Sequence, residues 1–167
     1  MMAHTHVLFG LGAWLGASAV TGNPAGPVEL GAAALGSLLP DIDHPKSLVG
    51  RRLAWVSVPV AALVGHRGVT HSLLAVLACA AGLWFLGREL AWSAALLVGY
   101  LSHLAGDALT VSGIPLLWPW RRRFRSPLWF TTNGAVEWGL NAALLAGLWW
   151  ARPEWLGKAW PVSWSLS

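Results

Sequence analysis

The sequence predicts an all-α membrane protein: about five transmembrane helices with one short interfacial or re-entrant helix, forming a single integral membrane domain over residues 1–167. Three observations predict this. Hydrophobic residues make up 56% of the chain and charged residues only 11%, whereas soluble domains carry about 25% charged residues. Mean hydropathy is +0.56, so much of the surface must face something other than water. Tryptophan occurs 13 times, against four Phe and one Tyr, and its apolar ring with one N–H donor favours membrane–water interfaces. This composition excludes an ordinary cytosolic enzyme, a disordered tail and a coiled coil. A net charge of +4 would suit a nucleic-acid binder, but the apolar content does not. The single cysteine, Cys79, lies in an apolar run and excludes a disulfide framework or a cysteine-type zinc site.

A full span takes about 20 mostly apolar residues. Val7 to Val20 is the first candidate, apolar and Gly-rich. The preceding MMAHTH lacks the basic residues of a cleavable signal, so this span is expected to stay in the fold. Val28 to Leu39 is shorter, so its helix should start in the preceding loop, tilt or thin the bilayer. Trp55 to Val64 is too short to cross and is interrupted by Pro59, which suits an interfacial or re-entrant helix. Ser72 to Leu86, Trp92 to Val111 and Ala135 to Ala151 supply the remaining spans.

Basic residues orient this topology. The connection from Asp41 to His71 holds Lys46, Arg51, Arg52 and Arg67, and that from Ser112 to Gly134 holds Arg121, Arg122, Arg123 and Arg125. The two opposite turns hold only Arg88. The N-terminus and both long connections are therefore expected in the cytoplasm. Every His and Asp of the chain falls at that same end, although only Lys and Arg entered the assignment.

Three motifs carry the chemistry. In LPDIDHP, residues 39–45, flanking prolines favour an extended backbone, which would aim Asp41 and Asp43 at one point where a cation relieves their repulsion. A polar Asx-turn ending a helix is the plain alternative. In GHRGVTHS, residues 65–72, His66 and His71 would diverge by about 140° on a helix. Gly65 and Gly68 suggest a loop that turns both inward, with Thr70 or Ser72 capping the next helix. Arg67 could face a phosphate or an Asp; a solvated basic loop is the alternative. In SHLAGDALT, residues 102–110, His103 and Asp107 lie four apart on one helical face and can share a metal. The alternative is a buried hydrogen bond joining helices. His6 and Glu137 are weaker candidates, since a terminal His is often exposed and a first-turn Glu suits the helix dipole unaided. Together, five His and three Asp at one membrane face suggest two divalent ions, Zn or Mn, that share carboxylates and activate water.

At LPDIDHPKSLVGRRL, GHRGVTHSLLAV and GYLSHLAGDALTVSGIPLLWPW, the sequence resembles the YdjM-like family of predicted membrane-bound metal-dependent hydrolases. The resemblance runs from His6 to about Glu137. It implies an inner-membrane metal-dependent hydrolase, and it carries His6, Asp41, Asp43, His44, His66, His71, His103 and Asp107 onto the family pattern, with Glu137 matching less closely. The His103–Asp107 pair with an upstream Pro-Asp is also similar to zinc-dependent phospholipase C, which favours a phosphoester.

The leading expectation is therefore a hydrolase acting on an anionic, lipid-like ester or phosphoester at the cytoplasmic face of the inner membrane. His6, Asp41, Asp43, His66, His71, His103, Asp107 and Glu137 are the candidate metal ligands. His44 is a candidate ligand or acid–base, and Arg67 a candidate for binding the anionic group. Membrane lipids are the expected partners, with the Arg121–Arg125 cluster facing acidic headgroups, and nucleic acid is not. The rival readings are a metal-ion or proton transporter and a scaffold that a metal only staples.

Overall fold

A computed structural model describes residues 1–65, 67–86, 91–120 and 122–150. Seven α-helices follow in order among them: α1 (Ala3–Thr21), α2 (Pro27–Gly36), α3 (Leu48–Arg52), α4 (Ala54–Val64), α5 (Leu73–Phe85), α6 (Ala91–Ala108) and α7 (Ala135–Trp150). Two 3-10 turns, Leu39–Asp43 and Val69–His71, sit between α2 and α3 and between α4 and α5. Isolated bridges, Thr110 to Phe130 and Ile114 to Phe124, fold the long α6–α7 connection back on itself.

Each apolar segment of the sequence is helical, but the expectation of five full spans is not met: among the described residues no helix is long and apolar enough to cross a membrane. The physical reasons differ between helices. At about 1.5 Å per residue, the 10 residues of α2 and the 13 of α5 fall well short of a hydrocarbon core of about 30 Å. α1 and α6, with 19 and 18 residues, have nearly the length. Their His, Ser, Gly and Thr or Asp residues dilute the hydropathy. α4 contains Pro59 and runs for 11 residues, as a short interfacial or re-entrant element would.

α6 is the centre of the fold, flanked by α2 and α1, with α7 against α1. Its seam with α2 is made of small residues. A Cβ on Gly36 would lie 2.0 Å from the Leu96 carbonyl oxygen, and one on Gly99 would lie 2.1 Å from that of Ala33. The backbones therefore touch, a contact that only glycine permits, and Ala32, Ala33, Ala95 and Trp14 close the seam. A second cluster, Val76, Tyr100, Leu104 and Ile114, ties α5 and the α6–α7 connection to the other side of α6.

Burial is inverted relative to a water-facing domain. Thr5, His6, Ser37, Asp43, His71, His103, Asp107 and Glu137 are buried, while Leu63, Leu77, Trp84, Phe85, Trp149 and Trp150 are exposed. Large apolar side chains left exposed while polar ones are buried suit an apolar neighbour. The fold thus turns the polar faces of α1 and α6 inward, at the end where both 3-10 turns lie.

Candidate metal centre

α6 builds the base of the site. His103 and Asp107 are one turn apart, with His103 Nε2 3.7 Å from Asp107 Oδ2. His103 Nδ1 lies 2.7 Å from the carbonyl oxygen of Ser37, just past the end of α2. A carbonyl only accepts, so Nδ1 carries the proton and Nε2 presents its lone pair to the site.

The second 3-10 turn brings in His71. Tyr100 Oη donates to the Thr70 carbonyl at 2.6 Å and holds this turn against α6. His71 Nδ1 faces Asp43 Oδ2 at 3.3 Å and Thr70 Oγ1 at 3.1 Å. Its Nε2 lies 3.2 Å from His103 Nε2, 3.5 Å from Asp107 Oδ2 and 3.8 Å from Asp41 Oδ1. Burial disfavours the charged imidazole of His71, yet hydrogen bonds to Asp107 and Asp43, with their charges, outweigh it and hold its pKa above the ordinary histidine value.

The first 3-10 turn supplies Asp41, whose Oδ1 is 3.8 Å from His103 Nε2. Ser47 Oγ donates to the Asp41 carbonyl at 2.8 Å and fixes the turn. The extended segment expected here is replaced by this turn. At about 120° per residue, side chains two apart diverge, so Asp41 enters the cluster while Asp43 sits behind His71. There Asp43 Oδ2 accepts from the Arg67 backbone N–H at 3.0 Å and from the Thr70 hydroxyl. Asp43 therefore orients a histidine, as carboxylates behind metal-bound imidazoles do.

α1 closes the site. The His6 ring stacks on that of His103 at 3.6 Å between centroids, and its Nε2 is 3.4 Å from Asp107 Oδ1. The same oxygen accepts from the Met1 amino nitrogen at 2.6 Å. Buried His6 Nδ1 has no hydrogen-bond partner among the described residues. Arg67 enters from the loop with a left-handed φ of 56°, and its Nη2 lies 2.7 Å from Asp107 Oδ2. Of the two roles the sequence left open for Arg67, the structure has the carboxylate.

Among the described residues, two overlapping triplets could hold a metal ion: His6, His103 and Asp107, and Asp41, His71 and His103. Within each, the ligand atoms lie within 4.8 Å of one another. The donor set fits a divalent cation of the zinc or manganese kind, with imidazole nitrogens and carboxylate oxygens and no sulfur. His103 belongs to both triplets, which therefore adjoin.

Other expected residues stand apart. Glu137 is buried, but its Oε1 accepts from the Met2 N–H at 2.7 Å and its Oε2 from the Asn133 N–H at 2.6 Å. It ties the start of α1 to the start of α7 and joins neither triplet. His44 ends the first 3-10 turn, half-buried, and is likewise in neither triplet. His66 and Arg121 lie outside the described residues. Ser72 stands at the N-cap of α5 as expected, but its side chain makes no capping hydrogen bond: the hydroxyl donates to Val69 O at 2.5 Å. Tyr100 and Ser37 escaped the sequence reading. A lone tyrosine three residues before His103 was a usable signal, whereas the Ser37 contact is made by a backbone carbonyl and leaves no mark in a sequence.

Comparison with known proteins agrees with the pattern of motifs. The chain is 50% identical over 109 residues to Inner membrane protein YdjM of Escherichia coli (strain K12), covering 61% of this chain and 55% of that protein. The same figures hold for Inner membrane protein YdjM of Shigella flexneri. The match therefore spans about half the length of these two relatives. Uncharacterized protein YvsG of Bacillus subtilis (strain 168) is 37% identical over 153 residues, 89% of each chain. No solved structure matches. The model of the family described as YdjM inner membrane protein matches residues 1–166, and the chain belongs to that family.

Proposed function

We propose that this protein is a metal-dependent hydrolase of the inner membrane, holding one divalent cation between His71, His103, Asp41 and Asp107 and acting on an anionic, lipid-like ester. One observation carries the reading. Two imidazole nitrogens, whose opposite ring nitrogens face acceptors, and two carboxylate oxygens converge in a buried space. Acceptors gathered this closely favour a cation between them, beside the Arg67 guanidinium and Met1 amino group that already face Asp107.

A divalent cation held there supplies Lewis acidity and lowers the pKa of the water it binds. The chain's own residues do the rest. Asp43 and the Ser37 carbonyl fix the ring orientations of His71 and His103. His6 stacks over His103 and excludes water from that side. Asp41, 19% exposed, and Arg67, 14% exposed, mark the open side of the cluster. Arg67, paired through Nη2 with Asp107, has further N–H donors to offer an anionic group there, and His44, at the end of the Asp41 turn, is the proposed acid–base. The proposal takes one ion where the residue count suggested two, because His103 is common to both triplets.

Membrane location rests on the family, the names of the relatives and the exposed apolar surface. The basic residues of the two long connections favour a cytoplasmic site. Arg125, stacked 5.3 Å over Trp129, and Arg122, 6.0 Å over Phe124, suit an interface with anionic headgroups.

The test is elemental analysis of purified protein, followed by assay against phosphoester and carboxyl-ester lipids with and without chelator. One Zn or Mn per chain and a chelator-sensitive activity are expected. Metal-free protein that regains no ion on dialysis against zinc would overturn the metal centre, and bound metal without hydrolysis would leave a stapled scaffold.

A further inference from the structure

Arg67 holds the carboxylate that a metal ion at this centre would need. Its Nη2 lies 2.7 Å from Asp107 Oδ2. The same oxygen is 3.5 Å from His71 Nε2 and 3.7 Å from His103 Nε2, on the side of the proposed ion. Asp107 Oδ1 is already engaged by the Met1 amino nitrogen at 2.6 Å. A zinc–oxygen bond is about 2.0–2.2 Å long. An ion bound to Oδ2 would therefore stand within about 4.9 Å of Arg67 Nη2, at the far limit set by that bond and the contact to Arg67. Two positive charges that close in a buried site disfavour each other.

The seat of the guanidinium is also incomplete. Nε–H and Nη2–H lie on one edge of the planar group and match two oxygens of a single phosphate or carboxylate. Against Asp107, Nη2 is paired, while buried Arg67 Nε has no hydrogen-bond partner among the described residues. The backbone behind it is fixed: the Arg67 N–H donates to Asp43 Oδ2 at 3.0 Å, with φ at 56°. Side-chain torsions alone can then carry the guanidinium off Asp107, and the turn that bears His71 stays in place. Arg67 is 14% exposed, so the way out leads to the open side that it shares with Asp41.

We propose that Arg67 is the anion receptor of the metal centre, held on Asp107 until a divalent cation takes that carboxylate and the guanidinium turns to the open side. Metal and anion then bind with positive coupling, since the cation frees the fork and the fork closes on two oxygens of the anion. The proposal deepens the hydrolase reading and rests on it for the metal centre, but it requires no hydrolysis. It also narrows the substrate class. A phosphoester presents two unesterified oxygens to such a fork, and a carboxyl ester presents none.

The experiment uses the full chain in detergent, with manganese as the ion and inorganic phosphate as the probe. The EPR signal of free manganese reads metal affinity, and broadening of the phosphorus NMR line by bound manganese reads phosphate. In the wild-type protein, saturating phosphate should tighten manganese roughly tenfold, and manganese should tighten phosphate by the same factor. Without phosphate, Arg67→Gln should bind manganese roughly tenfold more tightly than wild type, and it should lose the phosphate effect. Arg67→Lys keeps the charge without the fork, so its manganese affinity should stay near wild type while phosphate binds more weakly. Unchanged or weaker manganese binding in Arg67→Gln would make Arg67 a fixed support of Asp107 and overturn the proposal. Phosphate coupling of equal size in wild type and Arg67→Gln would place the anion on the metal alone, with the same consequence. Should Arg67→Gln fail to fold, wild-type protein without coupling, or Arg67→Lys with undiminished coupling, overturns the proposal. If the wild type and both variants bind neither manganese nor zinc, the metal centre and the proposal fall together. Arg67-dependent coupling in a protein that cleaves no phosphoester keeps the proposal and sinks the hydrolase reading. Chelator-sensitive hydrolysis without coupling does the reverse.

Discussion

His71 and His103, 32 residues apart in sequence, point their Nε2 atoms at each other across 3.2 Å. Behind each ring stands an acceptor: the Asp43 carboxylate at 3.3 Å from His71 Nδ1 and the Ser37 carbonyl at 2.7 Å from His103 Nδ1. Protons drawn to the two Nδ1 atoms leave two lone pairs face to face. A proton or a cation between them relieves that contact, and the Asp107 and Asp43 carboxylates, which hold the pKa of His71 up, favour positive charge there.

His71→Ala and His103→Ala should each abolish stoichiometric metal binding while the protein still inserts. Metal per chain in detergent, measured beside helical content by circular dichroism, checks this. A full metal complement in either variant would remove that histidine from the centre.

Asp43→Asn should behave differently, because Asp43 acts through His71. An amide keeps an acceptor oxygen but loses the charge. Zinc affinity should fall about 10–100-fold with one ion still bound at saturation, as read by competition with a chelator of known affinity. Complete loss of binding would make Asp43 a ligand.

Glu137→Gln should leave metal content unchanged and lower stability. Its carboxylate accepts from two backbone N–H groups, and such charge-assisted bonds are worth about 1.5–3 kcal/mol. Thermal unfolding in detergent measures the effect. Loss of metal with unchanged stability would restore Glu137 to the ligand set.

Gly99→Ala should be far more damaging than Gly31→Ala. The Gly99 Cβ would enter backbone at 2.1 Å, whereas that of Gly31 meets nothing within 4 Å. Parting α2 from α6 should cost on the order of 1–3 kcal/mol, whereas alanine at Gly31 should gain up to about 1 kcal/mol of helix propensity. The ratio of folded protein after a graded heat step distinguishes the two.

A cysteine placed at exposed Ser112, in a chain carrying Cys79→Ala, should resist a membrane-impermeant maleimide in intact cells and react once they are permeabilised. Labelling from outside would reverse the orientation and move the metal centre to the opposite face.

What the sequence by itself determined was local. The five apolar runs and the Pro59 segment are helices because in an apolar surrounding a helix satisfies its backbone N–H and C=O groups within the segment. His103 and Asp107 share a face because four residues nearly complete a helical turn. Gathering His and Asp at one end of the chain's helices was also legible, since charge and apolar length order the segments along one axis. Tertiary structure decided the rest. Prolines around Asp41 and Asp43 allow more than one backbone, and it was the packing of a 3-10 turn against His71 that divided their roles. Glu137 and Arg67 have charges that a sequence displays, but their partners are the Met2 and Asn133 N–H groups and Asp107. The glycines of α1 look alike in sequence, and only the separation of their neighbours tells a helix seam, as at Gly10, from open space, as at Gly16. Distances across the fold are set by which faces meet, and a linear pattern of residues does not encode the gap between two helices.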